Sequence, residues 1–457
     1  MNRPNILLIV LDSARADRFS CYGYTKTTSP NIDAIAETGA VFERCQSEAP
    51  WTVPASVSML TGLAPREHGA GEHRQLPEGM PSLQEALSAG GYTTILAGAN
   101  GFIGPVTGLD RGFQVVSNPL HVKNLSKPLT VFITRPMGWQ DSFGGAITHR
   151  LIREIERAQA PWFATIWYNE THHPYMGREP FSTRFAERPM SLARRWRLMS
   201  RMRHMNELAA TADTEEWRDV HALYDGALGY NDHLIGRLQS ALSAIGAWEN
   251  TIVVITGDHG DLLGEHGLAG HRWAVGLYRE VTHVPLIVRL PGGELAGARS
   301  DALVQLGDIP HTLAAICGCS EALAHTAATP VDLREAAGGS GREFAVSERE
   351  VIDPQRLARE KRKNPSFDYA PHMGSMALIN DGAWEYIRWE TARDELFSAD
   401  DRQQATNLID ERPEIARRLS AALDDWQARV RPHSSTTGVE LEEDEETRKR
   451  LEGLGYF

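Results

Sequence analysis

The chain has 457 residues, 42% of them hydrophobic and 23% charged, with a formal charge of −13. That length accommodates one large domain and a small one, and a chain of this size buries about three quarters of its unfolded surface. The acidic balance argues against a general nucleic-acid binder, but an acidic protein can still carry a local cationic site for an anionic ligand.

The first element expected is a strand over Ile6 to Leu11, "ILLIVL", which runs straight into Asp12. "SPNIDAIAETG" (29–39) and "SLQEALSAGG" (82–91) have helical spacing, with Pro30 suited to a first turn and Gly39 and Gly90 to C-terminal stops. "TTILAGA" (93–99) and "WFATIWY" (162–168) read as further strands. A helical pattern over 221–242 precedes the strand "TIVVITG" (251–257), which ends on Asp258 and His259. The strand "VPLIVRL" (284–290) and the helix "DIPHTLAAICG" (308–318), with Pro310 in its first turn, follow. These apolar runs are continuous rather than alternating, so they are expected as central strands covered on both faces. Strand alternating with helix gives an α/β fold with a mainly parallel sheet. Ligands bind such sheets beyond the carboxyl ends of the strands, where Asp12 and Asp258 fall.

Composition changes near residue 350. "RLAREKRKNPSFDYAPHMGS" (356–375) reads as a linker or excursion, and "MALINDGAWEYIRWE" as a hairpin turning at Asn380, Asp381 and Gly382. Residues 412–430 form an amphipathic helical pattern, and the charged run 440–451 is expected in solvent. The expected organisation is a catalytic domain over 1–370 and a small C-terminal α+β domain over 371–457. The four cysteines, Cys21, Cys45, Cys317 and Cys319, contain no C-x-x-C pair and are too few for a disulfide scaffold. The first strand starts near residue 5, leaving no room for a signal peptide, and no apolar run approaches the roughly 20 residues of a membrane span. A cytoplasmic, reduced protein without a transmembrane segment is the expectation.

Two buried strands that both stop at metal-binding side chains point to one site built from distant parts of the chain. Asp258 and His259 lie in a turn of small residues, with Gly257 and Gly260 on either side. Carboxylate with imidazole suits zinc or manganese better than calcium, which favours oxygen ligands throughout.

"APWTVPASVSMLTGLAPREHG" (49–69) resembles the nucleophile segment of the sulfatases, in which a cysteine of a C-x-P-x-R pattern becomes formylglycine. Pro54, Ser58 and Leu60-Thr61-Gly62 fit that frame. "PNILLIVLD", "CYGY", "SPNIDAIAETGAVFERC", "THHPY", "GDHGDLLGEHG", "VTHVPLIVRLPG" and "RLEGLGYF" extend the likeness along nearly the whole chain, least in 120–215. The resemblance implies an alkaline phosphatase-like three-layer sandwich. The chain departs from it in its chemistry. Thr52 replaces the modifiable cysteine and Ser56 the arginine, and Ser13 stands where many sulfatases have a second aspartate. The family's G-K-W-H segment is absent, with "AGANGFIGP" (97–105) nearby, and His271 falls about where a lysine often contacts sulfate.

Threonine cannot be converted to formylglycine. The chain therefore looks more like the superfamily's nucleotide pyrophosphatases, lipoteichoic acid synthases and phosphoethanolamine transferases, which use a threonine nucleophile beside an acid and an Asp-His pair. Phosphonate monoester hydrolases share the Asp-His pair, though with formylglycine. By this likeness Asp12, Thr52, Asp258 and His259 would hold one divalent ion, zinc or manganese with calcium as the other option. Thr52 would attack phosphorus, helped by a cation on its oxygen. His172 matches the family's H-x-P-[FY] histidine, a substrate contact or general acid, and His271 would be a second cationic donor.

Duller roles fit other residues: His266 ordering a turn, His68 supporting the nucleophile's helix, and Arg15 and Asp17 holding the first loop. His173 adjoins His172, and Asn100 is a further candidate for the pocket wall. The segment 182–207 carries arginines 184, 188, 194, 195, 197, 201 and 203, and is expected either as a solvated helical insertion or as a lid recruiting an anionic substrate or membrane surface.

The resulting expectation is a hydrolase of phosphate diesters or phosphonate monoesters acting on a small anionic ester through a phosphothreonine. No nucleic-acid polymer is expected as a partner, and self-association is left open. The alternatives are a sulfuric ester hydrolase or phospho-group transferase with unmodified threonine, and a non-catalytic sulfatase-like binding protein.

Overall fold

The computed structural model describes residues 3–71, 74–121, 141–175, 177–202, 204–271, 276–323, 326–363 and 365–432. The charged run 440–451 lies outside them, as does the final "RLEGLGYF".

The central sheet is built from β1 (Asn5–Leu11), β2 (Ala40–Gln46), β3 (Thr93–Gly98), β4 (Val115–Ser117), β5 (Trp162–Tyr168) and β6 (Thr251–Gly257). After a short hairpin of β7 (Leu262–Leu263) and β8 (Ala269–Gly270), it is completed by β9 (His283–Val284), β10 (Leu286–Arg289) and β11 (Ala298–Gln305). Its order is β11-β2-β10-β6-β1-β5-β3-β4, with β9 against β2. β1 pairs in parallel with both β5 and β6, whereas β10 runs antiparallel to β6 and β2.

The alternation of β1 shows why these strands are apolar throughout. Ile6, Leu8 and Val10 enter one core, and Leu7, Ile9 and Leu11 the other. The helices Thr52–Thr61, Leu83–Ala89 and Asp308–Cys317 cover the first face through residues such as Val57, Leu83 and Leu313. Pro30–Glu37, Gly144–Arg157 and Thr214–Ala244 cover the second through Ile35, Leu151 and Leu238. The result is a three-layer αβα sandwich, as the α/β reading requires. No helix among the described residues is long and apolar enough to cross a membrane.

A second, antiparallel sheet has the order β12 (Ala345–Arg349), β13 (Met376–Asn380), β14 (Trp384–Trp389), β15 (Glu395–Ser398). Its first strand precedes residue 370, so the sheet draws on chain upstream of the expected domain boundary. The β13–β14 hairpin turns where expected: Gly382 has φ +84° and donates its N–H to Asn380 Oδ1 at 2.7 Å. The helix Pro413–Arg429 packs Leu419, Leu423 and Trp426 on one face. Met376, Leu378 and Ile387 bury the other against Leu277 and Val281 of the larger body. The stretch 356–375 is not all linker, because Pro354–Lys363 is helical.

Candidate active site

β1 and β6 are neighbours in register, with Leu11 opposite Gly257, so Asp12 and Asp258 leave the sheet side by side. Both carboxylates are fully buried. Ser13, at φ +59°, links them: its N–H donates to Asp258 Oδ1 at 3.0 Å and its hydroxyl to Asp12 Oδ1 at 3.0 Å. Asn100, just past β3, donates its amide to Asp12 Oδ2. Tyr224 fastens the same loop, donating to Ser13 O at 2.8 Å and accepting from Arg15 N at 2.9 Å.

His259 follows Asp258 into the site. Its Nδ1–H donates to Gly260 O at 2.8 Å, which leaves Nε2 facing the carboxylates, 3.5 Å from Asp258 Oδ2 and 3.9 Å from Asp12 Oδ1. Gly260 is needed here because a Cβ would lie 2.0 Å from Glu280 O. Thr52 is the first residue of the helix Thr52–Thr61, and its Oγ1 lies 3.4 Å from His259 Nε2. The amide dipoles at such a helix start favour an anion. Ser56, in the family's arginine slot, donates its hydroxyl back to Thr52 O within the helix.

Asp12, Asp258 and His259 thus present ligand atoms within 4.8 Å of one another, with Thr52 beside them. Burial raises the Asp12 carboxyl to about 7, with Asp258 adding to the rise. Burial also raises Asp258 to about 7 and lowers His259 below its ordinary value. Asp258 Oδ2 meets no well-formed hydrogen bond among the described residues. Two adjacent buried carboxylates and an imidazole lone pair are short of positive charge, so the donor set fits a divalent cation.

The other candidate residues fall into two groups. His172, His173 and His271 form a second cluster with ligand atoms within 4.8 Å, and the His271 ring lies 4.3 Å from that of His259. Burial holds His172 well below its ordinary value and lowers His271 to about 3, with His259 adding to the fall in His271. Structural roles account for the rest. His68 is buried, with Nε2 3.2 Å from Ser58 Oγ and Nδ1 accepting from Ala70 N at 3.0 Å. His266 stacks on Tyr278 with centroids 3.8 Å apart, and Arg15 chelates Asp17 at 2.8 Å.

Five arginines of the 182–207 segment are held in ion pairs. Arg188 and Arg194 pair with Glu215 and Asp219, Arg197 and Arg201 with Glu216, and Arg195 with Glu179. Leu198 and Met202 of the helix Leu192–Met202 pack with Tyr175 and Tyr224. Arg188, Arg194, Arg197 and Arg201 meet the acidic start of the helix Thr214–Ala244, Arg203 lies outside the described residues, and the apolar side of the segment braces the wall behind Tyr175. Sequence reading passed over Asp261, although it lies in the same turn as Asp258. Its carboxylate accepts from His271 Nδ1 at 2.8 Å and Tyr175 Oη at 2.7 Å. Burial alone would raise Asp261, yet the His271 and His173 imidazoles hold it well below the usual carboxylate range.

Comparison with known proteins places the chain in a family. The sulfatase family model matches residues 4–319. The chain is similar to the uncharacterized sulfatase YidJ of Escherichia coli K12, at 24% identity over 64% of each chain. It is also similar to the choline-sulfatase of Rhizobium meliloti, at 22% identity over 89% of this chain and 83% of that protein. Among solved structures, the phosphonate monoester hydrolase of Silicibacter pomeroyi superposes with a TM-score of 0.74, covering 95% of this chain and 97% of that one at 21% identity. That of Agrobacterium radiobacter gives 0.73 over 93% and 96% at 22% identity. At such identities the superpositions speak to the fold, and the match to the family model speaks to descent. Sulfatase-family enzymes bind a divalent metal ion, and the Asp12, Asp258 and His259 cluster offers the ligands for one. The chain belongs to the sulfatase family of the alkaline phosphatase superfamily.

Proposed function

We propose that this sulfatase-fold hydrolase cleaves phosphate diesters or phosphonate monoesters with Thr52 as nucleophile. The observation that carries the reading is Thr52 Oγ1, at the start of a buried helix, 3.4 Å from His259 Nε2 and beside the Asp12–Asp258 pair. Asp12, Asp258, His259 and Thr52 would hold the divalent ion, which when bound lowers the cost of an anionic threonine oxygen and of charge on the phosphoryl group. The positive end of the Thr52–Thr61 helix dipole favours the same anion. In the first step the Thr52 Oγ1–P bond forms as the bond from phosphorus to the leaving oxygen breaks. The threonine proton ends, in the overall balance, on the leaving alcohol. Water then attacks phosphorus and frees Thr52.

Support for phosphorus over sulfur is chemical. A formylglycine hydrate has a second hydroxyl through which a covalent sulfate can be eliminated, whereas a threonine ester must be attacked directly at the central atom. Two phosphonate monoester hydrolases with the same fold show that this scaffold also serves phosphorus esters. A sulfuric ester hydrolase with unmodified threonine is the second reading, favoured by the similarity to the choline-sulfatase. The test is a set of kcat/KM values for aryl phosphate, phosphodiester, phosphonate monoester and sulfate esters on one metal-loaded preparation. Phosphorus esters should rank first; a sulfate ester at the top would overturn the proposal.

A further inference from the structure

A cavity of about 1150 Å³ opens between the larger body and the small antiparallel sheet. The loop after β1 lines it through Arg15 and Arg18, the short helix Arg279–Thr282 through Glu280, and the small sheet's side through Glu385 and Gln404. None of Asp12, Thr52, Asp258 and His259 lines it, so it is separate from the candidate active site. It abuts the turn after β6, because a Cβ on Gly260 would lie 2.0 Å from Glu280 O.

The buried arginines in its wall are matched by carboxylates. Arg15 pairs with Asp17 and Glu265 at 2.8 Å, and Arg18 lies 3.5 Å from Asp225. Arg279 reaches Glu385 Oε1 at 2.9 Å, and Gln404 Nε2 donates to Glu385 Oε2 at 2.8 Å. Glu280 is the exception. It is 8% exposed, and its Oε2 has no hydrogen-bond partner among the described residues. His266 Nε2 stands 3.5 Å from that oxygen, with its ring held against Tyr278 at 3.8 Å between centroids. Asp17, Glu265 and Glu280 all act on the one Arg15 guanidinium, so this end of the cavity has an excess of negative charge. Burial holds His221 below its ordinary value and His283 at about 4, with Arg18 and Arg279 respectively adding to the fall, so neither ring supplies the missing charge. Arg44 and Arg402 line the cavity from exposed positions.

A buried carboxylate without a counter-charge is costly, and a cation relieves it. A metal ion needs more donors than one carboxylate, and no group of three or more potential ligands among the described residues includes Glu280. An ammonium group needs only the one carboxylate, and the cavity is ample for the organic part it is attached to. We propose that this cavity binds a small organic molecule through a primary ammonium group, with Glu280 as its counter-charge. The proposal does not rest on the phosphoryl-transfer reading of the active site.

The test is a ligand-observed NMR titration of full-length protein with n-butylamine, and with butan-1-ol as its uncharged counterpart. Wild type should bind the amine saturably and the alcohol roughly 10-fold or more weakly. Glu280→Gln keeps the shape of the side chain and should weaken amine binding by roughly 10-fold or more. Asp258→Asn removes the same charge from the candidate active site and should leave amine binding unchanged. If Glu280→Gln does not fold, Glu280→Asp, which withdraws the charge by one methylene, should show the loss instead. No saturable amine binding in wild type overturns the proposal, as does equal binding of amine and alcohol. Binding that survives the change at Glu280 overturns it too. A loss in Asp258→Asn as large as that in the Glu280 variant would mean general attraction to an acidic protein, and would also overturn it.

Discussion

The backbone N–H of Ser13 donates to Asp258 Oδ1 at 3.0 Å across 245 positions of sequence, and the Ser13 hydroxyl reaches Asp12 at the same distance. A residue at the end of one strand thus sets the orientation of a carboxylate at the end of the next. Asn100 completes the arrangement from a third strand end. These groups touch the ligands without displacing them, so they should tune affinity. Ser13→Ala and Asn100→Ala should each weaken binding of the carboxylate-site ion by about 10- to 100-fold. Metal titration by calorimetry checks this; unchanged affinity in both would mean the ligands need no such bracing.

Metal should also stabilise the fold. An ion that binds only the folded chain at a hundred times its Kd adds about 2.7 kcal/mol. Zinc or manganese should therefore raise Tm, a chelator should reverse the rise, and Asp258→Asn should lose most of it. In the metal-free state Asp258→Asn should be no less stable than wild type, because it removes one of two crowded buried carboxylates. Thermal melts with and without metal measure both effects.

Glu48 gives a pH dependence separate from the metal ligands. Burial raises its carboxyl to about 8, although Gly307 N–H donates to Oε1 at 2.8 Å. The folded chain therefore keeps a proton that the unfolded chain releases near pH 4.5. The contribution of this group is full below that pH and is lost as pH rises through about 8. Glu48→Gln should gain on wild type between pH 5.5 and 8.5 in paired urea melts. Parallel stability curves would show that Glu48 does not carry this proton.

The sulfur-to-phosphorus preference is also visible within one enzyme. If threonine limits sulfate hydrolysis at release of the covalent ester, sulfate esters should give a burst followed by slow turnover, while phosphorus esters turn over steadily. Rapid-quench kinetics separate the two, and equal steady rates without a burst would contradict the chemical argument.

Much of this architecture was legible in the sequence, for reasons tied to particular residues. The runs at Ile6–Leu11 and Thr251–Gly257 are apolar at every position because both faces of the sheet are covered. Asp12 and Asp258 stood out because charge there is costly without a purpose. β2 and β11 did not, because Glu43, Arg44, Arg299 and Asp301 interrupt strands near the sheet edge. Asp261 and Asn100 were harder still: their meaning lies in hydrogen bonds to His271 and Asp12 that no spacing reveals. The arginines of 182–207 left a solvated helical insertion and a lid for an anionic substrate or membrane surface both open, because the acidic partners Glu215, Glu216 and Asp219 sit in a helix start that only the fold brings alongside.

The central claim is that Thr52 is the nucleophile, and turnover by metal-loaded Thr52→Ala protein tests it most directly. Losing one buried hydroxyl should cost the fold only about 1 kcal/mol. Losing the attacking atom should lower kcat by roughly 10³-fold or more, while Thr52→Ser retains part of the activity through its remaining oxygen. A folded Thr52→Ala protein that turns over phosphorus esters at near wild-type rates would mean that water attacks directly and that Thr52 only begins its helix.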